Sequence, residues 1–439
     1  MKSDAKTPCL LPCLIFLASL SWSQYALANE ADEEPAADKI TETADPEAAS
    51  ANADNGVSEN VTAIGRPGLS MLVEEDDIPL ADAVDVAEAT HHRPEAISLL
   101  KAHIPSGTYQ RLSWSATELF EGVPVSTPVL VVNGRLPGPT VCLTAALHGD
   151  ELNGIEVVRR VMHNIDPEKL SGAVIGVPIV NLQGFRSGSR YLRDRRDLNR
   201  YFPGNSTGSA ASRIAHSFFI EIVSHCDALI DLHTGSFERT NLPQLRADLT
   251  DPDIRTLTEG FGATVILHSI PQAGTLRAAA TNAGIPAVTL EAGGPSVLEL
   301  KEVKHGVKGI ETLLNTLGMV RKIRFWGESE PVYYRSTWVR ADTGGILLAD
   351  VLLGDVVDQG DLLGTITDPM NNASSELFAP YSGRIIGMAR NQVVMPGFAA
   401  FHVGIETQEV LPDVEDGEKE ILSHDEQSGN DDYVDGMSE

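Results

Sequence analysis

The stretch "LTAALHGDE", residues 143–151, decides how the rest of the chain is read. Its apolar run ends in His148, Gly149, Asp150 and Glu151, and "LNGIEVVRRVM" follows at once with the apolar spacing of an amphipathic helix. Where a buried strand gives way to a helix, His-x-x-Glu turns an imidazole nitrogen and a carboxylate oxygen toward one point, as a zinc ion requires. A solvated helical pair has the same spacing, so the motif alone decides little. It gains weight from "ALIDLHTG" (228–235) and "AVTLEAGG" (287–294), which also close apolar runs, with His233 and Glu291. Three predicted strands thus bring two histidines and two glutamates to their carboxyl ends, the edge of an open α/β sheet where ligands bind.

Around this centre, strand and helix patterns alternate. "VCLTAAL" begins the central sheet, and "AVIGVPIVN" (173–181) is a further strand. "SAASRIAHSFFIEIVSHC" repeats apolar residues at helical spacing, and a helical run from about Ser296 to Leu317 closes the series. The order predicts an α/β fold, a mainly parallel sheet flanked by helices on both faces. Between the second and third strands, six arginines fall between Phe185 and Tyr201. Either this is a solvated loop or its guanidiniums grip anionic substrate groups beside the metal. Arg246, in "NLPQLRAD", offers another anionic contact.

Past Lys322 the texture changes to short strands punctuated by Gly and Asp, which predicts a small all-β domain over residues 323–406. Its two glycine-turned halves resemble the barrel-sandwich hybrid of biotinyl and lipoyl carriers. No lysine lies between Trp326 and Glu406, so a structural or gating role is expected instead of a swinging arm.

The formal net charge is −29, and residues 29–60 and 409–439 supply about two-thirds of it. With no basic stripe to meet phosphates, nucleic-acid binding is disfavoured. Lys2 and Lys6 precede an apolar run from about Cys9 to Leu20, and "ALA" at 26–28 has the form of a cleavage site, so residues 1–28 read as an export signal. The run is shorter than a membrane span needs, which favours a cleaved signal over an anchor. Residues 29–65 are an acidic linker too poor in apolar side chains to fold, and residues 407–439 are an acidic tail of the same kind. Residues 66–105 are an ambiguous leader, with a helical stretch around Arg93 to Ala102, and the catalytic domain is placed at 106–322. Cys142 and Cys226 read equally as buried thiols or as one bridge.

Taken together, "HGDE", "DLNR" (197–200), "DLHTG" and "EAGG" in this order resemble the succinylglutamate desuccinylase/aspartoacylase family, a branch of the zinc carboxypeptidase fold, which implies a mixed sheet flanked by helices. The resemblance runs from about Gly107 to Glu406. It implies that His148, Glu151 and His233 bind Zn2+, that Glu291 is the general base and acid, and that Asn199 and Arg200 bind a substrate carboxylate. It also implies an arginine that polarises the scissile carbonyl. Arg190, Arg193, Arg195 and Arg196 compete, and Arg190, followed by Tyr191, is the choice. Asp231, two residues before His233, is placed either to orient that imidazole or to cap the strand. The expected activity is an exported zinc-dependent amide hydrolase in which zinc-bound water attacks an N-acyl amino acid. A metallocarboxypeptidase acting on peptides or muropeptides is the alternative, and a non-catalytic binding protein on the same fold is a further one. The expected partner is a small acyl-amino acid or peptide bearing a carboxylate; the sequence leaves oligomeric state open.

Overall fold

The computed structural model describes residues 96–115, 126–321 and 330–405, all within one compact unit, Val86–Glu439. The export signal, the acidic linker, most of the leader and the acidic tail lie outside the described residues.

The described chain begins with a hairpin, β1 (Ile97–Leu99) and β2 (Ala102–Ile104), then β3 (Thr108–Ser115) and β4 (Ser126–Asn133). β5 (Leu136–Ala145) leads into α1 (Leu152–Asn164), β6 (Ser171–Val177), α2 (Leu182–Ser187) and α3 (Ala210–Glu221). There follow β7 (Ala228–His233), β8 (Arg239–Ala247), α4 (Pro252–Glu259), β9 (Val265–His268), α5 (Leu276–Asn282), β10 (Ala287–Gly293) and α6 (Leu300–Thr316). The rest is strand: β11 (Val332–Tyr333), β12 (Arg335–Arg340), β13 (Gly345–Ala349), β14 (Val356–Val357), β15 (Leu362–Thr367), β16 (Ser374–Phe378), β17 (Gly383–Ala389), β18 (Gln392–Val394) and β19 (Ala399–Ile405). None of the described helices is long and apolar enough to cross a membrane.

Two expectations change. Over the described part of the stretch from Arg93 to Ala102 there is no helix but the β1–β2 hairpin, turned by Leu100 and Lys101 at φ 50° and 64°. Two consecutive left-handed residues make a hairpin turn, here without the Gly or Asn that would have announced it. β6 also stops at Val177 instead of Asn181, because Pro178 has no N–H to donate to the ladder.

The centre of the sheet is parallel, in the order β6–β5–β7–β10, and antiparallel strands flank it, β4 and β3 beside β6 and β8 beside β10. The sheet is therefore mixed. Because β7, β10 and the second half of β5 are buried on both faces, they read as mostly apolar runs, broken by Asp231 and Thr289. α3 and α5 cover one face through Phe218, Ile214 and Leu276, and α1, α4 and α6 cover the other through Val158, Leu257 and Ile310.

β8 is the seam of the molecule. One side pairs with β10, and the other pairs with β17 through Arg239 to Asn241 and with β9 through Gln244 to Ala247. Through β17 the sheet continues into β19 and β12. A four-stranded sheet, β16–β15–β13–β18, lies over these strands and encloses Leu347, Leu363, Ile385, Phe401 and Val403.

Cys142 and Cys226 form a disulfide that joins β5 to the residues just before β7, across a sequence separation of 84. The cross-link spans α1, β6, α2, the arginine-rich loop and α3. Closing a loop of that length in the unfolded chain costs conformational entropy, so replacing both cysteines by alanine should lower stability by about 2–5 kcal/mol. The shift in denaturant midpoint against the oxidised parent measures it.

Candidate metal centre

The register of the sheet assembles the site. Ala145 of β5 lies opposite Leu232 of β7, and Glu291 of β10 opposite His233, so the three strands end together. β5 gives way through Ala146, held at φ 51°, to the turn that carries His148, and Glu151 immediately precedes α1. Gly149 is required here, because a Cβ would come 1.9 Å from the carbonyl carbon of Gly184 in α2.

His148, Glu151 and His233 are all buried, and one ligand atom from each lies within 4.8 Å of the others. Glu151 sits between the rings, Oε1 2.8 Å from His148 Nδ1 and Oε2 2.9 Å from His233 Nδ1. The two Nδ1 atoms are only 3.2 Å apart. Two ring nitrogens so close repel if both carry protons or both carry lone pairs, and a cation taking both lone pairs removes the conflict. The donor set of two imidazoles and one carboxylate therefore fits a zinc ion.

The far nitrogen of each ring meets a carboxylate. His233 Nε2 lies 2.7 Å from Asp231 Oδ2, and Thr144 Oγ1 donates to Asp231 Oδ1 at 2.7 Å. His148 Nε2 lies 3.2 Å from Asp197 Oδ1. Such partners fix ring orientation and raise the basicity of the inward nitrogen. Of the two readings of Asp231, the hydrogen bond to the imidazole is the one observed. Burial opposes charge on His233, but Asp231 and Glu151 outweigh it and hold its pKa well above the ordinary value. Burial also opposes an ionised Glu151, and the two histidines overcome it, holding that carboxyl well below the usual range. Asp231→Asn keeps the volume and removes the charge. It should weaken metal binding about tenfold to hundredfold, read by competition with a chromophoric chelator.

Of the four competing arginines, Arg190 alone turns inward. Its guanidinium lies 2.9 Å from Asp197 Oδ2 and 3.5 Å from Glu151 Oε1, whereas Arg193, Arg195 and Arg196 are exposed. Asn199 spends its side-chain carbonyl on the backbone N–H of Leu276 at 2.8 Å, tying the loop to α5. Arg200 donates to the Asn199 carbonyl at 2.9 Å and adds positive charge near Asp197. Glu291 accepts from Asn241 Nδ2 at 3.1 Å, and its other oxygen lies 3.6 Å from Arg246 Nε.

Beyond these stand residues that sequence reading did not single out. Arg239 rests against Phe237, Trp338 and Phe398, two of them from the C-terminal strands and the segment joining them. Burial and the neighbouring guanidiniums of Arg246, Arg190 and Arg340 push its pKa down to about 10. It stays charged at neutral pH, so the surroundings of Glu291 are crowded with positive charge. Asp197 was legible only as a letter of "DLNR", and Asn241 not at all.

The catalytic-domain model of the succinylglutamate desuccinylase/aspartoacylase family matches residues 137–317. A curated relative, the N-alpha-acetyl-L-2,4-diaminobutyric acid deacetylase of Halomonas elongata, is 31% identical over 261 residues, covering 56% of this chain and 75% of its own. The chain belongs to this family. Solved members share the succinylglutamate desuccinylase/aspartoacylase architecture seen here. The product-bound ectoine utilization protein EutE (DoeB) from Ruegeria pomeroyi aligns with a TM-score of 0.62 at 25% identity, over 69% of this chain and 98% of that one. A succinylglutamate desuccinylase/aspartoacylase from Rhodobacter sphaeroides aligns with a TM-score of 0.61 at 25% identity, over 67% and 95%.

Proposed function

We propose that the protein is an exported, zinc-dependent amide hydrolase that deacylates N-acyl amino acids. The observation that carries this reading is the convergence of His148, Glu151 and His233 on one buried point, with Glu291, a carboxylate outside that set, opposite His233 in the sheet. His148, Glu151 and His233 would hold a zinc ion, which would supply a polarising charge and lower the pKa of water to around 7. The side chains do the rest. Glu291 takes the proton of the attacking water and returns it to the leaving amine. Arg190, beside Glu151, places positive charge where the carbonyl oxygen becomes anionic, and Asp197 holds it there. Asn199, Arg200 and Arg246 fix a substrate carboxylate, turning binding energy into orientation. The crowding of Arg239 by three further guanidiniums supports a substrate that brings negative charge.

Export rests on the signal pattern of residues 1–28 and is supported by the Cys142–Cys226 disulfide, since such bonds persist in oxidising compartments. The named activity of the Halomonas elongata relative makes Nα-acetyl-L-2,4-diaminobutyrate the first substrate to try. The test is a panel of N-acetyl and N-succinyl amino acids set against peptides with free C-termini, with and without chelator. Release of acyl groups that stops on chelation and returns with zinc supports the proposal. Cleavage of peptides alone transfers the assignment to a carboxypeptidase. A protein that neither binds metal nor turns over any member leaves the non-catalytic reading.

A further inference from the structure

Glu291 does not reach the seam of the sheet alone. Asn241 of β8 lies opposite Gly387 of β17, Gly387 opposite His402 of β19, and His402 opposite Trp338 of β12. One row of residues thus runs from the C-terminal strands to the side chain that touches Glu291. At its outer end the row is stiff. The His402 ring stacks on Trp338 at 4.3 Å and 9°, and its Nε2 is bonded to Ser336 Oγ at 2.9 Å. In the middle the row has a notch. A Cβ on Gly387 would stand 2.7 Å from Asn241 Oδ1 and 3.3 Å from His402 Cβ. The Asn241 amide is therefore seated where Gly387 lacks a side chain, with Nδ2 turned to Glu291 Oε2 at 3.1 Å. Asn241 and Glu291 are only 3% and 8% exposed, so water does not readily replace that bond.

A carboxylate that takes a proton from water and hands it to an amine must hold one orientation through both transfers. Two χ angles precede the terminal torsion in Glu291, and Asn241 Nδ2 holds Oε2 while Arg246 Nε lies 3.6 Å from Oε1, which narrows its rotamers. We propose that Asn241 is a positioning residue for Glu291, and that Gly387, on a strand of the C-terminal sheet, is the notch that keeps the Asn241 amide in its donating orientation. This rests on the reading of Glu291 as the proton carrier.

The test uses the full, zinc-loaded chain and Nα-acetyl-L-2,4-diaminobutyrate, or the best-cleaved member of the panel above. Asn241→Ala should lower kcat about tenfold to hundredfold with KM within about twofold and zinc content unchanged. Asn241→Asp keeps the shape but sets an acceptor against the carboxylate, and should be slower than Asn241→Ala. A residue that merely fills space would show the reverse order. Gly387→Ala should also lose kcat, and in the Asn241→Ala background it should cost nothing more, because both act through one bond. Losses that multiply, or Asn241→Asp at wild-type kcat, overturn the proposal. If Gly387→Ala does not fold, the order of the two Asn241 variants still decides. Glu291→Gln, assayed alongside, separates the two ideas. An inactive Glu291→Gln beside an Asn241→Ala of normal kcat removes the positioning role alone, whereas a fully active Glu291→Gln removes the proton carrier and this proposal together.

Discussion

Glu291→Gln should lower kcat by roughly two to four orders of magnitude while zinc stays at wild-type stoichiometry. Glutamine keeps the length of the side chain and can still accept from Asn241, but it cannot take a proton at neutral pH. Glu291 stands outside the cluster of three ligands, so its replacement leaves the donor set whole. KM should change little, because the side chains assigned to the substrate carboxylate, Asn199, Arg200 and Arg246, are all kept in the variant. The measurement is steady-state kinetics with metal determined on the same sample. Unchanged kcat at full occupancy would remove Glu291 from the chemistry.

His233→Ala should abolish turnover by a different route, with bound zinc falling to about a tenth of the parent's or less after dialysis. The site has three donors, and two of them hold a divalent ion poorly. The substitution also strands Asp231, whose Oδ2 lies 2.7 Å from the lost ring and whose remaining bond is to Thr144. A buried carboxylate deprived of its partner is destabilising, so the melting temperature should fall too. Elemental analysis with a thermal melt checks both. A His233→Ala protein that kept stoichiometric zinc and turnover would falsify the ligand assignment.

The centre was legible for a physical reason. Strands buried on both faces are mostly apolar runs, and a charged or imidazole side chain that ends such a run is held by polar partners or by an ion. His148, Glu151, His233 and Glu291 all sit where such runs end. Arg190 was separable from its neighbours only by the Tyr191 that follows it, because the exposure of Arg193, Arg195 and Arg196 is set by how the loop folds back. Asn241 was hidden for a deeper reason. β8 owes its pairing on one side to β17, almost 150 residues later, and short-range pattern cannot register a partner at that distance. The bond between Cys142 and Cys226 was equally open to sequence, since two cysteines carry no spacing signal and only the parallel pairing of β5 with β7 brings them together. The leader hairpin was missed because its left-handed turn uses leucine and lysine.

The position of β8 also limits how the gene product can be cut or transplanted. A fragment ending near Arg321 would keep every proposed ligand and would look, on paper, like a self-sufficient hydrolase. Yet it would bare the outer edge of β8 and the side of β9 that β11 covers, leaving unpaired backbone donors and acceptors beside the active centre. Edges of that kind recruit strands from other copies. Excision of the C-terminal region would therefore yield aggregates in place of a minimal enzyme, and grafting onto this scaffold is better attempted at the hairpin turns of the four-stranded sheet.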